Sequence, residues 1–204
     1  MLFRILALCG LMLGLAAPAP APAQQALPAN GLFLVAKPTL VDPNFSHTVV
    51  LVTQTEDAST VGVIINRPTP FKLSQFLTDE FATRNYKDPV YFGGPVMRQA
   101  LVSIFVSPTS PKAAAFHVLK NVYLTMHPDN IESLLNDPKA RYRIYAGFSG
   151  WAPRQLESEF MRDGWHVLPA DEATLFRDKP DGLWEELLER AERRGPRASI
   201  DALQ

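Results

Sequence analysis

Cysteine is nearly missing from this chain of 204 residues: the one it has, Cys9, lies in the N-terminal apolar run ILALCGLMLGLAA. The remainder therefore has no disulfide, no thiolate metal ligand and no cysteine nucleophile. Charge of one sign is missing too, with 20 Lys and Arg against 21 Asp and Glu. Such a balance offers no electrostatic footprint for nucleic acid. The N-terminal apolar run is too short to span a bilayer. The four histidines (47, 117, 127 and 166) have neither HxH nor HxxxH spacing, and none has a carboxylate at motif spacing. Neither a zinc nor a non-haem iron site is expected, and no cofactor. GxxxxGK[ST] and GxGxxG are absent as well, which removes the nucleotide fingerprints.

What the N-terminus does have is the layout of a secretory leader. MLFR carries one positive charge, the apolar run follows, and PAPAPA ends in Ala21-Pro22-Ala23, an A-x-A cleavage pattern. We read residues 1–23 as a signal peptide cleaved before Gln24 and 24–30 as a lead-in. Cys9 precedes most of the apolar run and follows Leu8 rather than a small residue, which is wrong for a lipoprotein. Residues 31–194 form one expected domain, 195–204 a flexible tail, and no transmembrane span is expected in the mature chain. A domain of roughly 170 residues buries enough core without disulfides.

Within that domain GLFLVAKP (31–38), HTVVLVTQ (47–54) and VGVIINRP (61–68) are apolar, β-branched and bounded by Pro, Asp, Asn or Ser. They read as strands, and runs this continuous predict cover on both faces. PVYF (89–92), ALVSIFV (100–106), NVYLTM (121–126), RYRIYAG (141–147) and GWHVLP (164–169) read as further strands. FKLSQFL (71–77) has a helical spacing of apolar residues. Four more helices are expected. DNIESLL carries Asp129 as N-cap, PRQLESEFMRD has Pro153 at its first position, DEATLF is short and capped, and DGLWEELLERAERR spans 181–194. Strands without regular βαβ alternation define an α+β class: an irregular mixed β-sheet core surrounded by short helices, in a single domain.

Three punctuated segments are the candidate sites. In YRIYAGFSGWAPRQLESEF the strand is expected to end at Gly147 in a glycine-rich turn that enters a helix. Such a turn exposes backbone N–H groups able to receive an anion. Ser149 sits in it, but G-x-S-x-G needs glycine where Trp151 stands, so a serine hydrolase is disfavoured. YFGGPV permits close backbone approach at Gly93, Gly94 and Pro95. Asn66 and Arg67 end a strand, where a guanidinium can take an anion bidentately. Glu157 and Glu159, two apart on a helix, do not share a face and so make no glycosidase pair.

Taken together, GLFLVAKPTLVDPNFSHTVVLV, VGVIINRP, VYFGGPV, YAGFSGWAPRQLESEF and GWHVLPAD resemble the YqgE/AlgH family from about Gly31 to Leu188. The resemblance implies the same α+β fold and brings no established reaction. Members are labelled transcriptional regulators. The family pattern matches at Asn66-Arg67-Pro68, Gly93-Gly94-Pro95-Val96, Gly147, Gly150-Trp151, Gln155-Leu156-Glu157 and Trp165. The position of Ser149 is commonly alanine in similar proteins, which removes it as nucleophile; no catalytic residue is expected. Relatives are generally cytoplasmic and lack a leader, so export would separate this member from DNA. The expectation is a non-catalytic binding or regulatory protein, periplasmic or secreted. Its candidate surface is Asn66, Arg67, Gly93, Gly94, Pro95, Gly147, Gly150, Trp151, Gln155 and Glu157, and its partner is a small anionic ligand or an envelope protein. The alternative is a cytoplasmic transcriptional regulator.

Overall fold

Three apolar runs open the described chain, and each becomes a strand: β1 (Leu32–Ala36), β2 (Val49–Gln54) and β3 (Thr60–Ile64). The computed structural model describes residues 30–77 and 88–194. The expected signal peptide, lead-in residues 24–29 and the tail 195–204 lie outside the described residues. β4 (Pro68–Lys72), β5 (Pro89–Phe92), β6 (Val96–Val106), β7 (Phe116–Leu119) and β8 (Val122–Thr125) follow. Next come α1 (Pro128–Asn136), β9 (Tyr142–Trp151), α2 (Gln155–Met161), β10 (Trp165–Pro169), α3 (Glu172–Leu175) and α4 (Leu183–Arg194).

The ten strands form one mixed sheet in the order β10-β1-β2-β3-β9-β6-β8-β7, with β4 and β5 attached beside β9. Every pairing is antiparallel except β5 with β9. This is the expected α+β class. Gly31 draws the two ends of the sheet together, since its N–H donates to Val118 of β7 and its carbonyl accepts from Ala170 beyond β10. A Cβ there would stand 2.6 Å from a Val118 methyl, so only glycine fits so close an approach.

The curled sheet encloses one core, and α4 covers it. Phe33, Val35, Leu51, Val63, Tyr91, Val102, Ile104, Leu124 and Tyr145 face inward, and Leu183, Leu187 and Ala191 of α4 close over them. Those three positions lie four apart, the stripe that a helix presents to a core. The opposite face of β1, β2, β3 and β10 is buried as well, beneath α2 and the loop from 37 to 48. Both-face burial is what the unbroken apolar runs called for.

Several expectations need correction. Phe71 and Lys72 end β4, and Leu73–Gln75 makes one 3₁₀ turn, so 71–77 is not an α-helix. Pairing of β4 with β5 outweighs the weak helical spacing there. β6 begins at Val96 rather than Ala100, and β7, a four-residue strand, had no sequence signal long enough to mark it. His127, not Asp129, caps α1, its ring nitrogen accepting the Asp129 N–H at 3.3 Å. α2 starts at Gln155 behind a left-handed Arg154, so Pro153 is outside the helix. Most consequentially, β9 does not stop at Gly147. It runs on through Trp151, and there is no strand-to-helix turn at 147–151.

That continuation buries Trp151. The indole is 3% exposed and lies with Trp165 and Phe45 in an aromatic group whose centroids are 5.6–6.4 Å apart. Trp151→Ala is expected to cost about 3–5 kcal/mol of unfolding free energy, measured by urea titration. A stability equal to the unmodified chain would mean that the ring packs elsewhere in solution.

Candidate functional site

The three punctuated segments do come together, around the middle of β9. The Gly93 N–H donates to the Ala146 carbonyl, the Gly93 carbonyl accepts from Ile64, and the Phe92 N–H donates to the Arg67 carbonyl. Here the β5–β6 connection presses directly onto the backbone of β9. A Cβ on Gly93 would lie 2.2 Å from the Gly147 carbonyl, and one on Gly94 would lie 2.3 Å from that of Phe148. Gly147 itself has φ of 72°, in the left-handed region that favours glycine. The glycines thus let two strands cross at backbone contact.

Such a crossing leaves few free donors. Residues 149–151 pair with Gly62, Val61 and Thr60 of β3, and Phe148 pairs with Val96. The anion nest expected at 147–151 needs unpaired N–H groups, and here the segment is incorporated into the sheet. Ser149 is fully buried, and its hydroxyl donates to the Gly93 carbonyl at 3.2 Å. A nucleophile needs a general base as partner; this hydroxyl has a backbone carbonyl instead.

Asn66 and Arg67 are likewise turned inward. The Asn66 side-chain oxygen accepts the Val49 N–H at 2.9 Å, and its amide nitrogen donates to the His47 carbonyl at 3.0 Å. Arg67 spreads its fork over two carbonyls, Asn44 at 2.6 Å and Ser46 at 2.9 Å. Burial pulls its pKa below the ordinary value, against the opposing pull of Asp42. The residue between those carbonyls is Phe45, whose ring fits against Trp151 and Trp165. Arg67 therefore holds the loop that inserts Phe45 into the aromatic group. The fork expected to bind an anion binds the chain's own backbone.

Of the other candidates, Pro95 follows the crossing and is half-buried, Gly150 is exposed within β9, and Trp151 is core. The Gln155 side chain accepts the Ala152 N–H at 3.1 Å ahead of α2, and Glu157 is exposed on that helix. The crossing brings together Asn66, Arg67, Gly93, Gly94 and Gly147; Trp151 joins them through Phe45. Phe45 itself carried no sequence signal beyond being a lone aromatic in a polar loop.

The histidines are dispersed. His47 meets Trp184 edge to face at 4.3 Å, His117 stacks on Tyr123, and His127 caps α1. His166, on β10, is held below its ordinary pKa by burial and by Lys37, against Glu192 and Asp163.

A single-domain α+β protein whose glycine motifs join two halves of one sheet is the class these features define. The chain belongs to the AlgH-like family, whose sequence profile matches residues 33–194. A UPF0301 protein of Streptomyces avermitilis is 32% identical over 165 residues, spanning 79% of this chain and 86% of that one. One from Methylococcus capsulatus is 34% identical over 158 residues, spanning 75% and 84%. The solution structure of AlgH from Pseudomonas aeruginosa superposes with a TM-score of 0.64 at 28% identity, covering 89% of this chain and 98% of that one. A Corynebacterium diphtheriae protein shares the fold, with a TM-score of 0.59 at 23% identity and coverage of 85% and 91%.

Arg67 and His166 each give a test in solution. Arg67→Lys keeps the charge but loses the fork, and should lower unfolding free energy by about 1.5–3 kcal/mol. Tryptophan emission should change in the same variant as Phe45 loosens; an unaltered spectrum would disconnect the two. His166 generates a pH dependence. Its folded pKa lies below the unfolded 6.5, so its contribution is fully present above pH 6.5 and is lost as pH falls below that value. His166→Gln should flatten stability against pH in that acid range, read from melting temperatures across pH.

Proposed function

We propose that this chain is a non-catalytic binding or regulatory protein that acts outside the cytoplasm. The observation that carries the non-catalytic half is the internal use of its motif residues. Ser149 bonds a carbonyl, Arg67 bonds two more, and the glycine-rich segment lies within the sheet. None of these groups is poised as nucleophile, base or oxyanion donor. Support for export comes from the sequence: one charge, a short apolar run and Ala21-Pro22-Ala23. Among the described residues no helix is long and apolar enough to cross a membrane.

Cell fractionation with N-terminal sequencing of the purified protein tests the location. The expected product is a periplasmic or secreted chain beginning at Gln24. A cytoplasmic chain beginning at Met1 would overturn the export reading and bring back a role beside nucleic acid or the transcription machinery.

A further inference from the structure

At one end of the enclosed core, β9 sends Arg143 and Tyr145 to the same face, two residues apart, with Arg141 just ahead of the strand. α3 and the segment that follows it lie against the two arginines. Arg141 pairs with Glu172 and covers the Phe176 ring at 4.5 Å. Arg177 pairs with Glu186 at 2.7 Å. Arg143 differs from both. It is half-buried, its guanidinium sits 5.0 Å from the Tyr91 ring centroid and donates to the Arg177 carbonyl, and among the described residues it forms no ion pair.

Directly inward is Tyr145, fully buried, with its ring 5.8 Å from that of Tyr91. Its hydroxyl oxygen has the Arg143 guanidinium beside it, and among the described residues nothing accepts its proton. Burial pushes the phenol's pKa up, opposed by the Arg143 charge, so the group keeps its proton at neutral pH. Even with the guanidinium close to the phenol oxygen, the phenol proton has no acceptor. Leaving a buried donor unmade is unfavourable, and so is a half-buried cation without a counter-charge.

Both deficits have the same sign: a positive charge without a counter-charge, and a phenol proton without an acceptor. We propose that Arg143 and Tyr145 form a binding site for a small oxyanion, of carboxylate or phosphate type. One oxygen accepts from the Arg143 guanidinium, a second accepts the Tyr145 O–H, and the negative charge compensates Arg143. Arg143, half-buried, stands on the solvent side, and Tyr145 ends the site on the core side. The site uses none of the motif residues at the glycine crossing and does not depend on export, so its failure would leave the location reading untouched.

The test is titration of the purified protein with sodium phosphate and, separately, sodium acetate, with sodium chloride at matched ionic strength as control. Melting temperature and backbone amide shifts are followed. The site predicts a saturable rise in melting temperature with at least one oxyanion and shifts concentrated at 143–146 and 177. Whichever anion acts identifies the ligand type. Tyr145→Phe keeps the ring and removes the donor; it should melt no lower than the unmodified chain without ligand and bind the anion about tenfold or more weakly. If that variant does not fold, Arg143→Gln carries the same comparison. A response no greater than chloride for both anions would overturn the site. So would equal affinity in the folded variant.

Discussion

The close passage of the β5–β6 connection over β9 is the constraint on which the rest of this structure depends. β9 takes β6 along one edge and, along the other, β5 at residues 144–146 and β3 at residues 149–151. It can do both only because Gly93, Gly94 and Gly147 let two backbones meet without a Cβ between them. Every side chain larger than hydrogen at Gly94 would push against backbone atoms of Phe148, which have no rotamer through which to yield. The two halves of the sheet, and so the two faces of the core, are held in register at this point.

A second interaction is subordinate to the first. Once β3 ends beside the crossing, Asn66 and Arg67 extend toward the loop before β2 and bond three of its carbonyls and the Val49 N–H that opens β2. The effect reaches the far face of the sheet, since the loop's Phe45 closes the aromatic group with Trp151 and Trp165. A charged side chain makes economical use of burial here. Two carbonyls that a loop would otherwise leave to water are satisfied by one planar fork.

The sequence was informative where one physical rule acted alone. Continuous β-branched runs became two-face-buried strands, and the Leu183, Leu187, Ala191 spacing became the buried stripe of α4. It misled where tertiary pairing overrode local chemistry. Gly147-Phe148-Ser149-Gly150 reads as a turn by composition, yet those glycines serve close approach within a strand. Leu73, Phe76 and Leu77 are spaced like a helix, yet edge pairing and Pro68 and Pro70 keep the preceding segment extended. The candidate site was legible in its residues and not in its role. A pattern of Asn, Arg and Gly states that close or polar contacts are needed, but only the fold determines whether the partner is a ligand or the chain itself.

That distinction can be drawn from hydrogen bonding. Asn66, Arg67, Gly93 and Ser149 each have partners supplied by this chain. A residue so satisfied would have to give up an internal bond to bind anything else. Tyr145 and Arg143 are in the opposite condition, short of an acceptor and of a negative charge. The parallel register of β5 on β9 sets Tyr91 opposite Tyr145, and that register follows from the glycine crossing one residue further along. The glycine and Asn-Arg segments thus build the frame, and the frame positions Arg143 and Tyr145 a few residues away from them. Membership in the family transfers the fold for this reason without transferring a reaction.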